Sequence, residues 1–437
     1  MKIKIFLCAV VLILILGLAA AAYWWMSRPQ VITFSDDAKL TLVKVEYGKR
    51  HAPPTAAKAA AGARAGARGN SFTTPTDTLV IWVHWQYDSK QYHYFQFFAY
   101  DKAGAGCAQA GPRNYRNNGN EVVAVQLDAF PRRQGKFVVR VQEQGNGGQE
   151  MSEQKFVIHN PVAKSFAKWT AEPLPSTKTD DDVSVTLTKL VSGADMPYQR
   201  NQDNADDAAN KGVQAVFHVE RNGKPVSNWQ PVSVETSDAT GNHVYGGINQ
   251  NNWQDNNDTV AYQYGLWPDE PAWKVRAEFS QQSDFASNEV WMVQNIPVKP
   301  GRQQDFWNFG NNNQRAGANS VFAETDLNGF HLKILPATQF TDMNYGNGQM
   351  GGGLHVQVSP SLPAGMRMTL VKLTDDQGVD VQNYNSGSSG GGTSTTYGYQ
   401  MQNIAGVTNL NVTIALHKSR FVEFTAKPEK AAATAAQ

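Results

Sequence analysis

Aromatic rings set among amide side chains form the clearest candidate binding segment of this sequence. The segment GGINQNNWQDNNDTVAYQYG carries Trp253, Tyr262 and Tyr264. Ligand sites combine aromatic walls with a few polar groups that fix orientation, and rings among amides suit a glycan. We therefore take these three residues as candidate ligand-binding residues. The alternative is that Tyr262 and Tyr264 are ordinary strand residues, which leaves Trp253 as the exposed ring.

Three histidines recur at nearly equal intervals, each in a short apolar segment. They are His84 in VHW, His218 in FHV and His355 in LHV. Histidine can bind a metal or sense pH. Each repeat supplies a single histidine, and no second ligand recurs at chelating spacing. The pattern therefore favours outward-facing histidines that make hydrogen bonds, and it predicts neither a metal site nor a cofactor.

Catalytic motifs are absent from the sequence. It contains no phosphate-binding loop, nucleophile elbow, zinc-protease motif or dinucleotide fingerprint. An acidic loop holds Asp195, Asp203, Asp206 and Asp207, but its spacing does not match a calcium-binding loop. We expect a protein that is not an enzyme. The alternative is an exported hydrolase that uses carboxylates such as Asp269-Glu270, in the turn LWPDEPAW.

The charge balance argues against nucleic acid as a partner. Lys and Arg number 39, Asp and Glu number 38, and the formal net charge is +1. Such a chain has no basic field for a polyphosphate. Its two cysteines, Cys8 and Cys107, are not expected to pair, because Cys8 lies inside the apolar N-terminal run.

The N-terminal residues 1–29 predict a membrane anchor or a signal peptide. Lys2 and Lys4 precede an uncharged run over 5–26, which as a helix would be long enough to cross a bilayer. Trp24 and Trp25 then fall where an interfacial aromatic belt belongs, which favours the uncleaved anchor. A signal peptide cleaved after Ala22 is the alternative. Both interpretations place residues 30–437 on the periplasmic or extracellular side of a bacterial-type inner membrane.

Short motifs repeat three times in the same order. Turns of the form Asp-x-x-Gly begin at Asp101, Asp238 and Asp375, each after an extended apolar segment. An Asp in the first position and a Gly in the fourth are typical of a type I turn. Each copy then closes with a strand and a proline, in KFVIHNP, VWMVQNIP and VEFTAKP. The order and spacing predict three tandem repeats.

The repeats predict an all-β chain of three antiparallel β-sandwiches, with an immunoglobulin- or fibronectin-like arrangement; a jelly roll is the alternative. In VSVTLTKL the apolar residues alternate with polar ones, as in a half-buried strand. We place the first repeat at 30–161, the second at 180–298 and the third at 321–428. The ranges 162–179 and 299–320 are predicted linkers, and 429–437 a disordered tail.

The segment YHYFQFFAYDKAG, over 92–104, is the most aromatic strand of the first repeat. Its apolar residues fall on both faces of the predicted strand, so we expect it to be covered on both sides. The other two repeats keep the turn without the rings. The sequence therefore favours a buried strand over a sugar-stacking platform.

These patterns lead to one functional expectation and two alternatives. The first is a non-catalytic, membrane-anchored protein of the cell envelope that acts as a scaffold or binding module. Its partners are the membrane and an unknown protein or glycan. The alternatives are a carbohydrate-binding envelope protein and, with less support, an exported hydrolase.

Overall fold

The chain is all-β, and its sheets are largely antiparallel. This confirms the predicted fold class at the level of antiparallel sheets consistent with β-sandwiches. The computed structural model describes residues 29–34, 38–54, 71–86, 94–102, 106–107, 112–115, 120–144, 150–162, 164–195, 211–246, 258–263, 265–303, 306, 321–341, 351–391 and 393–431.

The first nine strands form the first β-unit, which has two sheets. The sheet orders are β1-β2-β3-β7-β6 and β5-β4-β8-β9. The strands are β1 (Val31–Thr33), β2 (Lys39–His51), β3 (Phe72–Gln86), β4 (Tyr94–Tyr100), β5 (Gly106–Cys107), β6 (Pro112–Tyr115), β7 (Asn120–Leu127), β8 (Lys136–Gln144) and β9 (Glu150–His159).

Aromatic side chains join the two sheets of the first β-unit. The rings of Trp85 on β3 and Phe95 on β4 lie 4.8 Å apart, edge to face. On β4, Phe97 and Phe98 point to opposite sides and are both buried, and Tyr100 is buried beneath the guanidinium of Arg140. The prediction that this aromatic strand is covered on both faces is therefore confirmed for its described residues.

The remaining strands belong to two further β-units. A short 3-10 helix, Ser287–Glu289, lies between β17 and β18. The strands are β10 (Ser176–Asp180), β11 (Val183–Asp195), β12 (Lys211–Arg221), β13 (Lys224–Pro225), β14 (Trp229–Asp238), β15 (His243–Gly246), β16 (Asp258–Gln263), β17 (Trp273–Gln281), β18 (Val290–Gly301), β19 (Ala323–Leu327), β20 (Phe330–Ile334), β21 (Ala337–Phe340), β22 (Gly352–Ser359), β23 (Met366–Asp375), β24 (Asn383–Gly391), β25 (Ser394–Met401), β26 (Asn409–Lys418), β27 (Arg420–Ala426) and β28 (Glu429–Lys430).

The second β-unit contains β10 to β17 together with β27 and β28 from the C-terminal end of the described chain. One sheet has the order β10-β11-β12-β13, with β16 beside β12 and β28 beside β11; the other has the order β15-β14-β17-β27. Phe217 on β12 contacts both Phe279 and Phe424, with ring centroids 5.3 and 6.2 Å away. Since Phe424 lies on β27, that strand supplies part of the second core.

The third β-unit contains β18 to β26 and has its own core. Seven of its nine strands follow one path, β19-β20-β22-β21-β18-β26-β23, and off this path β25 lies beside β22 and β24 beside β25. Leu354 and Val356 on β22 and Val412 and Ile414 on β26 belong to one buried cluster. The strands of this unit therefore enclose a core separate from that of the first two.

The closing strands of the second and third repeats are exchanged. In the first β-unit, β8 and β9 are antiparallel neighbours, with Phe137 opposite Ile158. The matching neighbour of β17 is β27, with Trp273 opposite Ala426, whereas β26 pairs with β18. The third β-unit is consequently inserted between two adjacent strands of the second.

This exchange differs from the predicted boundaries. The sequence pattern assigns β18 to the second repeat and β27 to the third, but their hydrogen bonds lie in the other unit in each case. The predicted linkers and tail are also shorter in the structure. Strand β10 begins within 162–179, β18 ends within 299–320, and β28 lies within 429–437, where it runs parallel to β11.

The predicted turns are present where the structure describes them. The carboxylate of Asp238 accepts hydrogen bonds from the backbone amides of Thr240 and Asn242, and Asp375 binds two amides in the same way. Gly241 has a φ of +89°, a conformation that a side chain would strain. The third predicted turn, after Asp101, lies partly outside the described residues.

The predicted anchor lies outside the described residues, apart from Pro29. Across the part of the chain that the structure describes, no helix has the length and apolar character needed to span a bilayer.

Paired cysteines test the strand exchange directly. Arg276 lies opposite Glu423 across β17 and β27. Directly opposed residues of antiparallel strands have Cα atoms about 4.5–5.5 Å apart, which is within disulfide range. We expect Arg276→Cys with Glu423→Cys, without the natural cysteines, to form a disulfide in the folded protein. Peptide mapping under non-reducing conditions detects it.

Thr413→Cys with Glu423→Cys is the matched control. A hairpin between β26 and β27 that paired Leu410 with Ala426, as Trp273 pairs with Ala426 here, would oppose these two residues, whereas Thr413 faces Met292 and Lys372. Cross-linking of Thr413→Cys in place of Arg276→Cys would show that the strands are not exchanged.

Candidate functional site

An ion pair between a buried carboxylate and a half-buried guanidinium joins the second and third β-units at the point where the chain crosses between them. Glu278 on β17 accepts a hydrogen bond from the Nε of Arg367 at 2.7 Å, with a second contact from its Nη2. The hydroxyl of Ser419, between β26 and β27, donates to Glu278 at 2.6 Å. Burial alone would raise the pKa of Glu278, but these donors outweigh it and hold the pKa below its ordinary value.

A buried histidine lies beside this ion pair. His417 is 2% exposed, with Thr369 Oγ1 3.1 Å from its Nε2 and the ring of Phe285 packed 4.8 Å from its own. Burial lowers the pKa of His417, which favours the neutral ring. The crossing is thus a packed polar contact with fixed geometry.

An open groove lies next to this crossing. Its floor is the outward face of β14, β17 and β27, where Ser233 and Phe421 flank Glu278 and Glu235 lies opposite Arg276. Its wall is the segment 362–368 together with Tyr397, all from the third β-unit. We call this cavity of about 440 Å³ the inter-unit groove. Its lining residues are Ser233, Glu235, Arg276, Glu278, Leu362, Pro363, Ala364, Gly365, Met366, Arg367, Met368, Tyr397 and Phe421.

The groove combines charged groups with an apolar wall. Glu278 is committed to Arg367, and Arg276 lies over the ring of Phe421 with its guanidinium carbon 4.8 Å from the centroid. Glu235 and the ring of Tyr397 are half-buried. Burial raises the pKa of Tyr397, so its hydroxyl remains a hydrogen-bond donor. Such a lining suits a polar organic ligand with an apolar face.

The structure describes one of the three predicted site residues. Tyr262 is half-buried on β16, and its hydroxyl accepts a hydrogen bond from Gln214 Nε2 at 3.3 Å. It therefore occupies an ordinary strand position, as the alternative interpretation expects. Trp253 and Tyr264 lie outside the described residues, so the structure does not bring the three together.

The recurring histidines occupy equivalent central strands, β3, β12 and β22, and all three are half-buried. His218 Nδ1 lies 2.9 Å from the carboxylate of Asp258 on the neighbouring strand. His355 instead stacks on Phe306, with ring centroids 4.3 Å apart, and burial lowers its pKa to about 4. The described residues contain no group of histidine, cysteine and carboxylate side chains able to hold a metal ion.

The residues that line the groove were not found by sequence reasoning. Arg276 and Glu278 are alternate polar residues of WKVRAEFSQ, which the period-two pattern assigns to an outward face. Residues of the third β-unit cover that face only because of the strand exchange, which places Arg367 next to Glu278. The alternation of polar and apolar residues predicts which side of β17 faces outward, but it does not predict what packs against that side.

Comparison with protein families, with curated proteins and with solved structures finds no match for this chain.

The stacked His355 makes stability depend on pH. Its pKa is about 4 in the folded state and about 6.5 when unfolded, so the unfolded chain binds more protons between these values. We expect acidification from pH 6.5 to 4 to destabilise the protein, with His355 contributing at most about 3 kcal/mol. Urea unfolding at intervals across this range measures the loss.

His355→Gln should make the pH profile flatter than that of the natural protein. His417→Gln is compared with it, because burial also lowers the pKa of His417. Removal of His417 should therefore flatten the pH profile as well, and by an amount that does not depend on His355. An unchanged slope in His355→Gln would contradict the assignment.

Proposed function

We propose that this protein is a non-catalytic scaffold of the cell envelope, held at the membrane by its N-terminal segment, with a binding site in the inter-unit groove. The observation that carries the proposal is the exchange of β18 and β27, which ties two β-units together around that groove. A chain of independently folded β-units would need no such exchange. The apolar run over 5–26 supports the membrane attachment.

The contact between the first and second β-units also supports a scaffold role. Asn242 is buried, and its side chain binds the backbone N–H and C=O of Phe130 at 3.2 and 3.0 Å. Arg132 Nε donates to Asn242 Oδ1 at 2.8 Å, and Arg133 forms a bidentate pair with Glu270. Buried polar networks that are satisfied fix one relative arrangement of the parts they join.

We further propose that the β-units have an immunoglobulin- or fibronectin-like arrangement. In the first β-unit, the strand orders β2-β3-β7-β6 and β5-β4-β8-β9 are those of the ABED and C′CFG sheets of such domains. The neighbours of β12 and β17 repeat this order in the second β-unit. In this scheme β27 in the second β-unit and β18 in the third each occupy the position of strand G, beside β17 and β26 respectively.

Cell fractionation tests the membrane attachment. We expect the full chain to sediment with membranes and to resist extraction by high salt, because an apolar helix holds it through the hydrophobic effect. External protease should reach the residues beyond 30 in cells with a permeabilised outer layer. Deletion of residues 1–29 is the control and should leave the protein in the cytosol.

Two results would contradict parts of this proposal. A full chain found in the cytosol would rule out the envelope location altogether. A soluble exported protein whose mass shows cleavage after Ala22 would rule out the anchor and support the signal peptide.

Carbohydrate binding is the second candidate function, and the half-buried Tyr397, which lines the inter-unit groove together with Glu235 and Arg276, favours it. A sugar can place its apolar face on a ring while carboxylate and guanidinium groups bind its hydroxyls. We expect Tyr397→Ala to weaken binding to an envelope polysaccharide about tenfold in a pull-down titration, which corresponds to about 1.4 kcal/mol.

Two further variants make this test specific. Tyr245→Ala removes a ring that is 68% exposed and lies outside the groove lining, so its binding should be unchanged. Tyr262→Phe tests the segment that the sequence favoured. A loss of binding in Tyr262→Phe with none in Tyr397→Ala would move the site to that segment, and no binding by the natural chain would exclude this function.

A further inference from the structure

A second cavity lies between the second and third β-units, and we call it the cationic cavity. Its volume is about 460 Å³, and it shares only Met366 with the described lining of the inter-unit groove. Its lining residues are Arg221, Trp229, Gln281, Asn288, Glu289, Asn328, Met366, Lys418 and Arg420. The lining thus carries three cationic side chains and one carboxylate.

The donors of this cavity outnumber the acceptors. Arg221 uses its Nε for Asp182 at 2.6 Å, and Arg420 uses its Nη2 for Asp181 and Asp182 at 3.0 and 2.9 Å. A guanidinium has five N–H donors, so each keeps donors beyond these contacts. The ammonium of Lys418 is exposed and is paired with no carboxylate in the part of the chain that the structure describes.

Carboxylates are few in this lining. Glu289 is the only carboxylate among its described residues, and its Oε2 accepts the backbone N–H of Ala286 at 3.2 Å. The amide Nδ2 of Asn328 donates to the carbonyl of Leu416 at 2.8 Å. An incoming ligand therefore meets more N–H donors than carboxylates, together with the amide oxygens of Gln281, Asn288 and Asn328.

Two buried donors in the wall also lack acceptors among the described residues. These are Nε1 of Trp229, which is 2% exposed, and Nε of Arg420, whose guanidinium lies over the Trp229 ring. Buried polar atoms without partners are uncommon, and each calls for an explanation. Both present the positive end of an N–H dipole, which a negative charge in the cavity would offset.

We propose that the cationic cavity binds the carboxylate of a small organic acid. A planar carboxylate can accept two parallel hydrogen bonds from one guanidinium, and Arg221, which uses only its Nε for Asp182, can offer this geometry with its two terminal nitrogens. Arg420 gives its Nη2 to Asp181 and Asp182, which leaves Nη1 for a single further hydrogen bond. Lys418 supplies a point charge at the exposed side, and the exposed amide of Asn288 can bind a hydroxyl of the same ligand. These groups suit an acidic sugar or another hydroxylated carboxylate.

Calorimetric titration of the full chain tests the proposal, with digalacturonate as the probe. We expect saturable binding of digalacturonate and none of digalactose, its neutral counterpart. Lys418→Met and Arg221→Gln should each weaken binding at least tenfold, because each removes one of the cations. Lys372→Met is the matched control, since Lys372 is an exposed lysine outside the cavity lining and its affinity should be unchanged.

The folding of each variant is checked by its thermal unfolding midpoint. Lys418 is exposed, so Lys418→Met is expected to keep the midpoint of the natural chain and isolates binding from stability. The proposal is overturned by an absence of digalacturonate binding, by equal binding of digalactose, or by full affinity in Lys418→Met. Inorganic phosphate that binds as tightly as digalacturonate would also overturn it, because the cavity would then recognise charge without recognising a carboxylate.

Discussion

The antiparallel pairing of β17 with β27 is the contact on which the other inter-unit features depend. It brings Phe424 into the core that Phe217 and Phe279 begin, so the second β-unit cannot complete its interior without the C-terminal strand. Burial of one such ring contributes roughly 2–3 kcal/mol. Because the third β-unit lies between these two strands in sequence, the core of the second β-unit can be completed only after the whole third β-unit has been synthesised.

The pairing also fixes the chemistry of the crossing. Strand β27 begins immediately after β26 ends, so Lys418, Ser419 and Arg420 are held between two β-units. Ser419 consequently reaches Glu278, and Arg420 reaches Asp181 and Asp182. A buried carboxylate is stable only with partners of this kind. The ion pair of Glu278 and Arg367 is therefore a consequence of the exchange as much as a support for it.

The sequence predicts the strands well and their partners less well. Alternation in VSVTLTKL places Val183, Val185 and Leu187 in the core, and all three are fully buried. The exchange escapes such reasoning because β18 and β27 carry similar closing motifs, so the pattern does not tell which neighbour each strand takes. Local pattern specifies the face of a strand, and only the packing of the whole chain specifies its neighbour.

The same limit explains why the groove and the cavity were not predicted. Each is lined by residues more than a hundred positions apart, such as Arg221 and Lys418, which the exchange brings together. In the sequence alone, nothing marks these polar residues as neighbours. Once the β-units are joined, the two openings differ in charge. The inter-unit groove has two carboxylates and two guanidinium groups, whereas the described lining of the cationic cavity has three cations and one carboxylate. Two of these cations, Arg221 and Arg420, also pair with Asp181 and Asp182, which lie outside that lining. The two openings meet at Met366, which lines both of them, but different strand ends supply the rest of each lining. The difference in charge therefore leads us to expect different ligands in the two openings.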